Sequence, residues 1–246
     1  MDWQDEGTLL AVRRHGESAA IIEVFTAEHG RHAGIVHGGA SRRMAPILQQ
    51  GALLSVAWHA RLEDHLGTFR VEPVKARAAA ILGDRTALAA LSAICGLAAR
   101  VLPEREAHPP FYARTTALLD RMSGGEPWHA DYVRWELALL SDQGFGLDLS
   151  RCAVTGATEG LAYVSPRTGR AVTEDGAGDY ADRLLRLPAF LLTPAEDPVA
   201  AGALTDGLRL TGYFLHHHLA TAIGQERLTD GRDAAAALIV RAAGAS

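Results

Sequence analysis

The sequence predicts an α+β protein, in which a small N-terminal β-barrel is followed by a mainly helical body carrying a β insertion. Three observations carry this. Residues up to about 78 hold five short apolar runs, most of them joined without helix-like spacing. From Asp84 the apolar residues recur at three- and four-residue intervals. Between about 150 and 187 that period is lost and two short strand-like pieces replace it.

The barrel elements come first. Thr8–Val12, Ala19–Val24 and His32–Val36 are strand candidates, separated by Gly16-Glu17-Ser18 and by the stretch leading to His29-Gly30-Arg31. Leu53–Ala57 and Thr68–Val71 follow, bounded by Gly51 and Gly67. Five short strands suit a compact barrel of the OB type. Ser41–Gln50, with Pro46 inside it, is expected to be a loop that exposes Arg42 and Arg43. The expected division is a barrel domain at 1–78 and a helical domain at 79–246.

Helices come next. Leu88, Leu91, Ile94, Cys95, Ala98, Val101 and Leu102 form one apolar stripe, with Asp84 as N-cap and Pro103 as stop. Phe111, Thr115, Leu118, Leu119 and Met122 predict a second helix ending at Gly124-Gly125. Trp128, Tyr132, Trp135, Leu139 and Leu140 predict a third, closed by Gly144. In the insertion, Leu161–Val164 and Arg170–Thr173 flank the turn Ser165-Pro166-Arg167-Thr168-Gly169. Helical spacing returns in Leu204–Leu219 and Arg232–Ala242.

Charge and composition exclude several classes. The chain has 246 residues and a formal net charge of −5. Residues 1–80 hold nine basic and nine acidic side chains, so the acidic excess belongs to the helical body. Of the 24 basic residues only Lys75 is a lysine, and arginine's planar fork suits phosphate contacts. No apolar run is long enough for a membrane helix. The polar opening Met1-Asp2-Trp3-Gln4-Asp5-Glu6 is not the start expected of a secreted chain. Two cysteines make no disulfide framework, so a reduced, cytoplasmic setting is expected.

No catalytic signature stands out, so the chain is not expected to be an enzyme. There is no phosphate-binding loop and no nucleophile elbow. Gly176-Ala177-Gly178 follows a polar, acidic stretch instead of a buried strand, which fails the dinucleotide context. His216-His217-His218 sit at helical angles about 100° apart and do not converge on one ion. Cys152 is followed three positions later by Thr155, so the paired Cys-x-x-Cys of a structural zinc site is missing. No cofactor or metal is expected, and apolar packing is expected to hold the insertion.

With these residues in view, the chain resembles the bacterial RecO family of recombination mediators. The resemblance rests on an ordered set of pieces: Gly16-Glu17-Ser18, Phe25-Thr26-Ala27-Glu28-His29-Gly30-Arg31, Arg151-Cys152-Ala153-Val154-Thr155-Gly156, Val164-Ser165-Pro166-Arg167-Thr168-Gly169 and Gly212-Tyr213-Phe214-Leu215-His216-His217-His218-Leu219. It implies an N-terminal OB-fold, a helical body and a zinc-ribbon-like insertion, here without the metal ligands. It also implies binding of single- and double-stranded DNA and strand annealing. The partners it implies are RecR and the C-terminal tail of the single-strand-binding protein SSB, with RecA served indirectly, in a cytoplasmic, nucleoid-associated setting. For DNA, the candidate residues are Arg13, Arg14, Arg31, Arg42 and Arg43, with Phe25 and Trp58 as candidate base platforms. At a strand end among apolar residues, Phe25 also suits the barrel core. For an acidic, apolar SSB tail the candidates are Arg100, Arg114 and Arg121. The alternative reading is a protein-interaction adaptor with little DNA binding of its own.

Overall fold

The computed structural model describes residues 1–62, 65–193 and 199–244. It shows a mixed α+β chain in two compact units, Met1–Glu126 and Pro127–Ser246.

Five strands of the first unit close into a barrel: β1 (Asp2–His15), β2 (Ala19–Thr26), β3 (Gly30–Val36), β4 (Leu53–His59) and β5 (Thr68–Lys75), in the order β1-β2-β3-β5-β4. β1 makes closure possible because it is long enough to serve two neighbours. Its first half pairs with β4 and its second with β2, with a register shift between Leu9 and Ala11 where it bends. A parallel contact of Ile35 with Thr68 seals the ring. Alternation sends Ala20, Ile22 and Val24 of β2 and Leu54, Val56 and Trp58 of β4 inward, where they join Leu9, Val36 and Phe69.

Behind the barrel come α1 (Arg77–Ala80), α2 (Arg85–Val101) and α3 (Pro109–Ser123). Asp84 caps α2 as expected, accepting from Thr86 N and Ala87 N at 2.9 and 3.0 Å. Gly30 is obligatory at its turn. It has a left-handed φ of 61°, and a Cβ there would lie 1.8 Å from the carbonyl oxygen of Glu106. Arg77 is buried and ties three elements together. It donates to Asp120 Oδ1 at 2.7 Å, to Thr8 Oγ1 at 3.1 Å and to the Gly51 carbonyl at 3.3 Å.

The second unit packs α4 (His129–Asp142) on α6 (Ala201–Phe214), and α6 on α7 (Asp230–Gly244). Between α4 and α6 lies the insertion, with β6 (Leu161–Val164), β7 (Ala171–Thr173), the short α5 (Glu174–Ala177) and β8 (Leu185–Arg186). Its antiparallel order is β7-β6-β8. The two-residue β8 adds a strand to the two that the sequence predicts. Glu136 of α4 and Arg232 of α7 form a fully buried bidentate pair, at 2.7 and 2.9 Å, to which Thr211 adds a 2.5 Å bond. Gly212 is the residue that lets the guanidinium in, since a Cβ there would sit 2.5 Å from Arg232 Nη1.

Candidate nucleic-acid interface

The candidate site forms at one end of the barrel. Arg13 and Arg14 lie near the C-terminal end of β1, opposite Ile21 and Ala20, and both are exposed. The segment 37–52 folds back over the same end. Ala40 N donates to Ser18 O at 3.0 Å, which fixes the segment to the β1–β2 turn. Its far end is held by Gln50 Nε2 to Leu10 O at 2.9 Å and by Gly51 N to Leu9 O at 2.8 Å. Met44 and Ile47 press on the barrel core from inside this segment, and Leu48 is buried within it. Those apolar anchors leave Arg42 and Arg43 exposed at the tip. Arg14, Arg42 and Arg43 make no ion pair among the described residues, and Arg13 makes one long contact to Glu23 at 3.4 Å while staying 67% exposed. His15 and His37 are exposed beside them.

Arg31 is placed differently. It stands at the opposite end of β3, and its side chain is only 15% exposed. Its guanidinium donates to Leu102 O at 2.7 Å, Glu23 Oε2 at 2.9 Å and Glu104 Oε1 at 3.4 Å. It cross-links β2, β3 and the α2–α3 connection.

Neither candidate base platform is exposed: this corrects Trp58, whereas Phe25 is buried as its apolar surroundings in the sequence suggest. Phe25 is fully buried against Phe111 and Tyr112, and Trp58 is buried in the barrel with its indole N–H donating to Leu66 O at 3.1 Å. Alternation from Leu54 and Val56 predicts that placement for Trp58. Among the described strands of the barrel, the partly exposed aromatic is Trp3, stacked on His29 at 4.0 Å and 7°. It borders a cavity of about 680 Å³ with Asp2, Gln4, His59, Thr68 and Arg70. Sequence reasoning missed Trp3 because its strand was started at Thr8; extending the period-2 pattern of Leu9 backward reaches it. Asp2 and His59 pair across this cavity, and the bond from His59 holds the Asp2 carboxyl below its ordinary pKa.

Arg114 and Arg121 lie two turns apart on one face of α3, and Arg100 is exposed in the last turn of α2. Arg121 Nε is 3.5 Å from Glu126 Oε2. The three histidines fall in a π-helical segment, Leu215–Ala220, that continues α6. Their rings go to different partners: His216 to Thr229 Oγ1 at 2.8 Å, His217 against the Tyr213 ring, and His218 to Pro166 O at 3.0 Å.

A zinc ion in the insertion does not fit the residues present. Among the described residues no group of three or more His, Cys, Asp or Glu is arranged to hold a metal. Cys152 is buried and faces hydroxyls and backbone amides. The insertion has the apolar packing expected of it. Tyr163, Val172 and Ala177 pack there, and a polar cluster around the Cys152 sulfur sits among them.

Two family models match consecutive stretches of the chain. Recombination protein O N terminal matches residues 1–77, and Recombination protein O C terminal matches residues 82–226. The chain belongs to the RecO family. Its relatives include proteins named DNA repair protein RecO from Roseobacter denitrificans, 56% identical over 94% of this chain and 95% of the relative, and from Ruegeria sp. strain TM1040, 53% identical over the same shares. A third from Jannaschia sp. strain CCS1 is 54% identical over 94% of this chain and 93% of its own length. The family places this RecO chain in DNA repair. Among its described residues no helix is long and apolar enough to cross a membrane.

Proposed function

We propose that this chain is a non-enzymatic recombination mediator that binds DNA through one end of an OB-type barrel and anneals complementary strands. The observation that carries the reading is the Ala40–Ser18 hydrogen bond, which brings the Arg42-Arg43 tip beside Arg13 and Arg14. Four exposed guanidiniums on a fixed framework suit a phosphate backbone, because each neutralised phosphate releases condensed counterions. Nothing in this mechanism makes or breaks a bond: neutralisation lets two strands approach, and base pairing completes the product. Arg31 is a structural cross-link in this reading. This reading takes residues 1–78, the barrel, as the DNA module and 79–246 as the helical body, a division supported by the gap between the two family models, while the compact units divide at Glu126.

The partners of this reading are RecR, the SSB tail and, through them, RecA, in the cytoplasm near the nucleoid. The shared face of Arg114 and Arg121 supports an acidic-tail contact on α3 and gives the adaptor reading its one specific observation. Annealing of labelled complementary oligonucleotides across a salt titration tests the proposal. Arg42→Ala with Arg43→Ala is expected to lower the log–log salt slope for single strands by about 0.7 per lost phosphate contact. An unchanged slope removes these arginines from the site. Absence of DNA binding at low salt, with SSB-tail peptide binding intact, establishes the adaptor.

A further inference from the structure

The insertion is built around two tight turns with the same three-residue step, 152–155 and 173–176. In the first, the amides of Val154 and Thr155 both point at Cys152 Sγ, at 3.4 Å each. In the second, Thr173 brings its amide to the same sulfur at 3.3 Å and its hydroxyl to 3.4 Å. The Thr173 hydroxyl also accepts from Gly176 N at 3.1 Å and so caps α5. Gly176 completes the convergence. A Cβ on it would lie 2.9 Å from Thr173 Oγ1, 3.1 Å from Cys152 Sγ and 3.4 Å from the Thr155 methyl. Four positions on two turns therefore point at one small volume, and one of the four carries a thiol.

We propose that this sulfur-centred hydrogen-bond cluster of Cys152, Thr155 and Thr173 around Gly176 replaces a four-thiolate metal centre and closes the insertion without metal. The donor chemistry supports this. Neutral threonine hydroxyls and a glycine supply no soft anionic ligands, so a zinc ion there would find one thiolate where a structural site uses four Cys or His ligands. Three backbone amides and a hydroxyl aimed at one sulfur form an anion-stabilising nest. Burial alone would raise the Cys152 pKa, but the bonds from Thr155 and Thr173 outweigh it and bring it down to about 6. The absence of charge on the other three positions removes the repulsion that four thiolates without a metal would suffer.

The test uses the full chain, expressed with zinc in the medium. Metal analysis is expected to find zinc far below one per chain, and a chelator is expected to leave the melting temperature unchanged. Stoichiometric zinc, or a chelator-induced drop in melting, overturns the proposal. Cys152→Ser, which keeps an acceptor, is expected to melt between the natural chain and Cys152→Ala; a Cys152→Ala chain as stable as the natural one overturns the cluster's role. The triple variant Thr155→Cys, Thr173→Cys, Gly176→Cys is expected to bind one cobalt ion with thiolate charge-transfer and tetrahedral ligand-field bands. Failure of a folded triple variant to show those bands means that the four positions do not converge, and overturns the assignment.

Discussion

Among the described residues each compact unit buries one arginine, and the two are compensated in different ways. In the first unit, Arg77 reaches Asp120, whose side chain remains 32% exposed, and its Nη1 donates to the neutral oxygens of Thr8 and Gly51. In the second, Arg232 faces Glu136 with both carboxylate oxygens out of solvent, and only Asp233 at 3.2 Å offers a second, half-exposed charge. Both arginines join three elements. The difference is where the counter-charge sits. A carboxylate at the surface is partly paid for by water, whereas one in the interior depends wholly on its partner. The second unit is therefore the one whose buried arginine has its main counter-charge wholly out of solvent.

The comparison breaks most visibly at Glu136. Glu136→Gln leaves the Arg232 guanidinium buried without its main counter-charge, a situation that costs about 3–5 kcal/mol. Chemical denaturation is expected to show that loss in the transition of the second unit. A loss of less than about 1 kcal/mol would show that Asp233 compensates Arg232 as well as Glu136 does. The next largest effect belongs to the first unit and to acid. His32 is buried among Trp3, Trp58 and Phe69, and neither ring nitrogen has a hydrogen-bond partner among the described residues. Burial, with smaller contributions from Arg105 and His29, lowers its pKa to about 4. The folded state then takes up the proton less readily than the unfolded chain. Stability is full above the ordinary histidine value of about 6.5 and is lost as pH falls toward 4. The expected loss across that window is about 2–3 kcal/mol, from about 1.4 kcal/mol per pH unit. His32→Phe keeps the ring and is expected to flatten the profile there. A variant that keeps the natural slope would assign the acid sensitivity to another group.

Much of the fold was legible in the sequence because local patterns determine it. Ala20, Ile22 and Val24 take every second position of β2, as the core-facing side of a strand must, and Asp84 caps α2 where a short acceptor precedes a helical stripe. What was not legible depends on residues far apart in the chain. The barrel closes through Ile35 and Thr68, which no local pattern joins. Arg77 looks like a surface charge until Thr8, Gly51 and Asp120 surround it. The candidate DNA site divides the same way. Arginines at strand ends and in a polar loop mark Arg13, Arg14, Arg42 and Arg43, but their juxtaposition depends on the Ala40–Ser18 bond, and Arg31 carries the same composition signal while serving a structural purpose. The four positions around Cys152 were hidden for a related reason: threonine and glycine, which stand at three of them, are not residue types that a metal-motif search weighs.

The smallest effect sharpens the comparison from the other side. Burial would raise the Asp120 pKa, but the hydrogen bonds from Lys75 and Arg77 more than offset it and hold the carboxyl below its ordinary value. Because that value is depressed, the stabilisation is present above the unfolded pKa near 3.8 and is lost as pH falls through the folded one. This window lies below that of His32, so the first unit should lose stability in two separate acid steps. Asp120→Asn removes the charge but keeps an acceptor for Arg77, and water reaches the site, so a loss of about 1–2 kcal/mol is expected near neutral pH. Lys75→Ala, which removes only the exposed half of the arrangement, is expected to cost less than about 1 kcal/mol. If Asp120→Asn were instead as damaging as Glu136→Gln, the exposure of the counter-charge would not be what separates the two arginines, and the neutral oxygens of Thr8 and Gly51 would be contributing little to holding Arg77 in place.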